Sequence, residues 1–258
     1  MPSKRLLSLA IASLMLVALV FAGPHSSPKT RQNPVGIINR TKAFEILKAE
    51  QVKDELSLTL KNQDARRITA FSIKVGPNFT ITEELFFVED IDDVAIQPQK
   101  TFSRTYPIPL SLQQSPFDVV VRVAVFDDGT GDGDIPAYLD IKEARLGKAI
   151  QIRRAIKTLQ KVSDSEITDV NQLKIDLTRA FEASDSDTLK DLLELEPTGV
   201  VNRNTNGQLS DMLKEGLAGG RENVLRTILE SETQTGSNNQ LLKIKRTYER
   251  MLSRLKFD

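Results

Sequence analysis

The chain has 258 residues, 40% of them hydrophobic, and its 35 lysines and arginines equal its 35 aspartates and glutamates. Such a composition is globular rather than disordered, and a balanced charge sets up no overall field for nucleic acid. There is no cysteine and one histidine, His25, which excludes disulfides, thiol nucleophiles, thiolate zinc sites and histidine-built triads or metal clusters.

Met1–Ala22 opens with Lys4 and Arg5 and then runs almost wholly apolar from Leu6 to Phe21. A basic end, an apolar stretch and small residues at Val20 and Ala22 make this a secretory signal peptide, cleaved after Ala22. The competing expectation is an uncleaved membrane anchor, although Leu6–Phe21 is short of the roughly 20 residues that a spanning helix needs. Either way the rest of the chain is expected outside the cytoplasm, periplasmic or secreted. Residues 23–35 carry Pro24, Pro28 and Pro34 among serines and read as a flexible linker.

From Ile37 to Phe126 apolar residues recur with a period of two, the spacing of half-buried strands. Leu56, Leu58 and Leu60 alternate with polar residues; Phe71, Ile73 and Val75 repeat the pattern; Val119, Val121, Val123 and Val125 give it most strongly. Weaker runs lie at Ala43–Ala49, Ile81–Val88 and Thr101–Ile108, with turns at Asn62-Gln63-Asp64 and Gly76-Pro77-Asn78. About six short strands over residues 36–134 predict a β-sandwich. The segments LSLTLKN and RRITAFSIKV resemble bacterial extracytoplasmic immunoglobulin-like or fibronectin-III-like modules. The resemblance implies an adhesive, spacer or interaction role, and fold alone does not choose among these.

The strand ending at Phe126 runs into Asp-Asp-Gly-Thr-Gly-Asp-Gly-Asp, where Asp127, Asp128, Asp132 and Asp134 crowd four carboxylates between three glycines. Carboxylate-rich glycine loops suit calcium, which takes six to eight oxygen ligands. These four are therefore the candidate metal ligands, with Asp90, Asp92 and Asp93 as helpers from a second loop. Read as a helix-loop-helix calcium site the loop fails, because Leu139 stands where a bidentate glutamate is needed. The competing reading is a solvated turn with Asp134 capping the next helix. Hydrolysis by paired carboxylates of this loop is a third reading, set back by the lack of tryptophan and by a shared wet environment that gives no reason for split pKa values.

Beyond Asp134 the period becomes helical, giving an all-α region over 135–258. Leu146, Ala149, Ile152, Ile156 and Leu159 line one face of a helix expected over Ala137–Val162. Ser163–Glu166 has capping-box spacing before a second helix reaching Phe181, and Ser184–Asp187 caps a short helix that Pro197 ends. Leu213, Leu217, Gly220, Val224 and Ile228 keep one phase across three glycines, which favours one helix over 207–231 against a hairpin turning at Gly219-Gly220. Gly216-x-x-x-Gly220 predicts a second helix crossing close to the backbone. Leu241, Ile244, Tyr248, Met251 and Leu255 form the seam of a basic terminal helix. Lys142–Lys161 holds seven basic residues against one acidic, and Asp164–Glu196 ten acidic against three basic, so these two segments are expected to pack together.

These features predict a non-catalytic extracytoplasmic interaction or structural module with no cofactor. Its partner would be an unidentified protein or envelope component, with no nucleic acid, and it would touch a membrane only through Leu6–Phe21. The alternative is a calcium-binding adhesion module using Asp127–Asp134.

Overall fold

The computed structural model describes residues 35–85, 94–113, 115–164, 170–196, 209–232 and 238–254. A β part comes first and a helical part follows. The strands are β1 (Val35–Asn39), β2 (Phe44–Val52), β3 (Glu55–Asn62), β4 (Ile68–Val75), β5 (Phe79–Glu84), β6 (Thr101–Pro107), β7 (Phe117–Phe126) and β8 (Gly131–Gly133). A single turn of helix, α1 (Leu110–Gln113), precedes β7. The helical part is α2 (Ile135–Asp164), α3 (Val170–Phe181), α4 (Asp185–Leu195), α5 (Asp211–Glu232) and α6 (Asn238–Arg254).

Strands form in all six expected runs, with residues 86–88 of Ile81–Val88 outside the described residues, and two more strands join them. One sheet has the order β1-β7-β4-β5 with β8 also on β7; the other has the order β2-β3-β6. Every pairing is antiparallel except β1 with β7, which is parallel. The two sheets enclose one apolar cluster, in which Leu56, Leu58 and Leu60 of β3 face Phe71, Ile73 and Val75 of β4 and Val119 and Val121 of β7. Phe71 stands edge-on to both Phe44 and Phe102 of the opposite sheet, at 5.5 and 5.3 Å between ring centres, a favoured aromatic geometry. β1 is an unexpected strand within the sandwich region, and Val35, expected as the last residue of the linker, belongs to it and pairs with Phe117.

The four valines of β7 do not share a face, contrary to the expectation from their spacing. Val119 and Val121 point into the core between the sheets, whereas Val123 and Val125 point outward against α2, and Ala124 and Phe126 take over the inner positions. The cause is a β-bulge. Ser72 pairs with Val123 and Ile73 with Val121, so Arg122 is left over and the alternation flips. A matching irregularity at Thr69 on β4 turns Ala70 outward while Ile68 stays in the core.

Those flips make the seat for α2. Ala137 and Ile141 of α2 pack on Ala70, Val123 and Val125. Beyond this patch Arg145, 6% exposed, meets Glu84, 13% exposed, in a two-pronged pair at 2.8–3.1 Å, and donates to the Thr69 hydroxyl at 2.9 Å. Thr69 in turn donates toward the carbonyls of Val125 and Phe126. The bulged residue therefore links the guanidinium to the sheet.

At 30 residues α2 is about 45 Å long, and the other long helices pack around its far end. It starts at Ile135 and runs to Asp164, past the expected Val162, so Ser163 and Asp164 of the capping box belong to α2, and α3 is described from Val170. Residues 165 and 166 of that box lie outside the described residues. Toward α5 the helices touch backbone to backbone: a side-chain carbon on Gly216 would stand 2.8 Å from the Ala144 carbonyl carbon, and one on Gly147 2.6 Å from the Leu217 nitrogen. α5 is one unbroken helix through its three glycines, and the close crossing expected at Gly216-x-x-x-Gly220 is present. Toward α4 an apolar contact of Leu146 and Ile150 with Leu192 is flanked by ion pairs. Arg154 pairs with Asp191 at 2.8 Å and donates to Thr188, Arg153 pairs with Glu194, and Lys142 pairs with buried Glu196 at 2.6 Å. The basic and acidic segments thus dock as their signs require. Ile152, Ala155 and Leu159 complete a core with Leu173, Leu177, Val224, Ile228, Ile244, Tyr248 and Met251 from α3, α5 and α6.

Among the described residues no helix is long and apolar enough to cross a membrane. Leu6–Phe21, the linker up to Pro34, His25 and Leu255 lie outside the described residues.

Candidate functional site

The acidic loop sits where the β part hands over to α2, and each of its carboxylates has its own donors. Asp127 accepts from Arg67 Nε at 2.9 Å. Asp128 accepts from the Thr130 hydroxyl at 2.6 Å, the Thr130 amide at 3.0 Å and Arg66 at 3.3 Å. Asp132 reaches across to the β1–β2 turn and accepts from the amides of Lys42 and Ala43 at 2.6 and 2.8 Å. Asp134 caps α2 by accepting from the Ala137 amide at 3.1 Å, and bridges Arg122 at 3.2 Å and Arg40 at 3.1 Å.

The four side chains are therefore not brought to one point. Among the described residues no group of three or more histidines, cysteines, aspartates or glutamates is gathered as a metal would need. Asp90, Asp92 and Asp93 lie outside the described residues. Gly133 has a φ of +121°, and a side-chain carbon there would collide with the Arg122 carbonyl and sit 3.0 Å from Thr41. At this position glycine answers a backbone requirement.

The electrostatics follow from these contacts. The Ala137 amide, with Arg122 and Arg40 behind it, holds the Asp134 carboxyl below the usual range. Burial pushes Asp128 up, and the Thr130 hydroxyl and amide together with Arg66 more than reverse it. Asp64, hydrogen-bonded by Arg66, is brought down to about 2. Arg66 also lies over the Phe126 ring, 3.6 Å from its centre, a cation–π contact that fixes the guanidinium beside the loop. These carboxylates are anions held in place by cations and amides, an arrangement that makes a rigid junction.

Next to the junction the outer face of the five-stranded sheet changes character. α2 covers the half carrying Ala70, Val123 and Val125. The other half lies open as a cleft of about 850 Å³. One row of its floor is in register across three strands, Val120 opposite Lys74 and Lys74 opposite Thr80, and Ile38 of β1 lies beside it, opposite Val120. Arg40, Arg122 and Asp134 close the end nearest α2, and Asp118, Pro116 and Ser115 form the other end. Lys74 has no acidic partner among the described residues.

Sequence reasoning settled on the aspartates and passed over Arg40, Lys74 and Arg122. A signal for two of them was present: Arg122 interrupts Val119–Phe126 and Lys74 interrupts Ile73–Val75, each a charge inside an otherwise apolar strand. No protein-family model matches the chain, and comparisons with curated proteins and with solved structures return no match.

Proposed function

We propose that this chain is a non-catalytic extracytoplasmic interaction module, immunoglobulin-like in its β part and exported by Met1–Ala22. The observation that carries this reading is the strand order. Taking β2, β3, β4, β5, β6, β7 and β8 as strands A, B, C, C′, E, F and G, the sheets read A-B-E and C′-C-F-G. That is the division of immunoglobulin-type sandwiches, with each of these neighbours antiparallel as required. The last strand is cut to three residues, and β1 fills the remaining edge of β7. Sandwiches of this kind serve widely as adhesive and interaction modules, and the open half-face beside the junction offers a surface for a partner.

Two measurements test the reading. The mass of the mature protein should begin at Gly23, whereas an intact Met1 would replace release with membrane anchoring. A screen of purified protein on glycoside, ester and phosphoester substrates should find no turnover. Turnover lost on Asp128→Asn or Asp132→Asn would overturn the non-catalytic reading.

A further inference from the structure

We propose that the open half of the five-stranded sheet's outer face is a groove for an extended acidic peptide segment of a protein partner, bound through Arg40, Arg122 and Lys74. The inference rests on the interaction-module reading and gives that module its site and the chemistry of its partner.

The cations carry the argument. A guanidinium has five N–H donors and binds carboxylates in a two-pronged fashion. Arg40 and Arg122 each give one hydrogen bond to Asp134 and line the cleft. Asp134 accepts from both, and Asp140 of α2 lies within electrostatic reach of Arg122, so Arg40, 56% exposed, and Lys74 in the middle of the floor are the cations best placed to meet an incoming anion. Partly buried Val120 between them suits a short aliphatic side chain, and Ile38, 44% exposed, lies next to it on β1.

The opposite end chooses among anions. Asp118 stands there, exposed, and would repel a uniformly charged polymer such as a nucleic acid. It is four steps along β7 from Arg122, about 13 Å at strand spacing, which an extended peptide covers with roughly four residues. A ligand with carboxylates at one end, an aliphatic residue in the middle and a neutral or basic residue at the other matches every charge in the groove.

The test is fluorescence anisotropy of the full chain with a labelled octapeptide, Lys-Ala-Val-Ala-Glu-Val-Glu-Ala, at low salt and near-physiological salt. The expected result is saturable binding that weakens about tenfold when both glutamates become glutamine. Lys74→Gln and Arg40→Gln should each weaken it by roughly threefold or more at unchanged melting midpoint, while Lys48→Gln on the opposite sheet leaves it unchanged. No saturable binding, equal binding by the glutamine peptide, or equal binding by Lys74→Gln would each overturn the groove. Tighter binding of an oligothymidylate would assign the cations to a polyanion and overturn it as well.

A photo-crosslinking residue at Val120 or at Ser57 in exported protein separates this failure from failure of the wider reading. Capture of a partner from Ser57 but not from Val120 removes the groove and leaves an interaction module. Capture from neither position, together with substrate turnover, removes both.

Discussion

The two halves of one sheet face make an instructive contrast. They are built from the same strands, β4 and β7, yet α2 seals one half with alanine and valine while the other stays open with Lys74, Val120 and Arg122. What separates them is the flip of side-chain parity at Arg122 of β7, while Thr69 marks the far end of the sealed half on β4. Past the bulges, residues that would have pointed inward point outward, so the sheet gains a second apolar face where a helix is available to cover it. A strand need not be uniformly one-sided or two-sided, and a single extra residue decides where the change falls.

The contrast can be broken most severely at the buried ion pair. Arg145→Met leaves Glu84 without its partner under α2 and should cost about 3–5 kcal/mol in urea unfolding, with most of the loss recovered when Glu84→Leu is added. A loss under 1 kcal/mol would mean that the seal is apolar contact alone. The valines on either side of the bulge sharpen the comparison. Val123→Ala in the sealed half should cost about 2 kcal/mol by opening a cavity against α2, whereas Val120→Ala in the open half should stay within about 0.5 kcal/mol. Equal losses at the two positions would show that both halves are covered.

Acid tests the junction between the halves. Asp64, Asp128 and Asp134 all have carboxyls depressed in the folded state. Since each folded value lies below the unfolded one, their contribution to stability is present above about pH 4 and fades on acidification, toward about 2 in the case of Asp64. The stability difference between the natural protein and Asp64→Asn should accordingly be constant near neutrality and shrink between those limits. Asp64 and Arg66 remain partly in water, at 27% and 40% side-chain exposure, so the difference should stay under about 1 kcal/mol. A difference that grows on acidification would contradict the sign of the shift.

Calcium is expected to do least. Each loop carboxylate already holds amides or guanidiniums, so millimolar calcium against chelator, with magnesium as control, should move the melting midpoint by no more than about a degree or two. A large calcium-specific shift lost on Asp132→Asn would revive the metal reading and release Lys42 and Ala43 from their clamp.

Much of this architecture could be read from residue spacing. Leu56, Leu58 and Leu60 announced β3 because one face is dry and the other wet. The opposite charges of Lys142–Lys161 and Asp164–Glu196 announced their docking because ionic complementarity survives without knowing the geometry. The parity flip could not be read, since Val119 to Val125 keep a perfect alternation in sequence; only the apolar residues at Ala124 and Phe126 hint that the other set is buried too. β1 was missed because Val-Gly-Ile-Ile-Asn has no alternation and its partner strand lies far along the chain. The cleft was out of reach for the same reason, being assembled from β1, β4, β5 and β7 by pairings that no local pattern encodes. The aspartates drew notice because they are adjacent in sequence, and the structure sends them to different neighbours.

The position of β7 has a consequence for how the molecule comes into being. It is the central strand, holding β1, β4 and β8, and it is also the last long strand to be made. The parallel β1–β7 contact joins segments about 80 residues apart, and closing a loop of that size must precede any reward from the pairing. Until Phe126 has been synthesised, β4 and β5 form a hairpin with one bare edge and β1 has nothing to join. A chain that completes its sheet only after its first hundred or so residues are all present stays unfolded for longer than one built from local hairpins. Under the export proposed above, such delay would be an advantage: the order of the strands would keep the chain pliable until it had crossed.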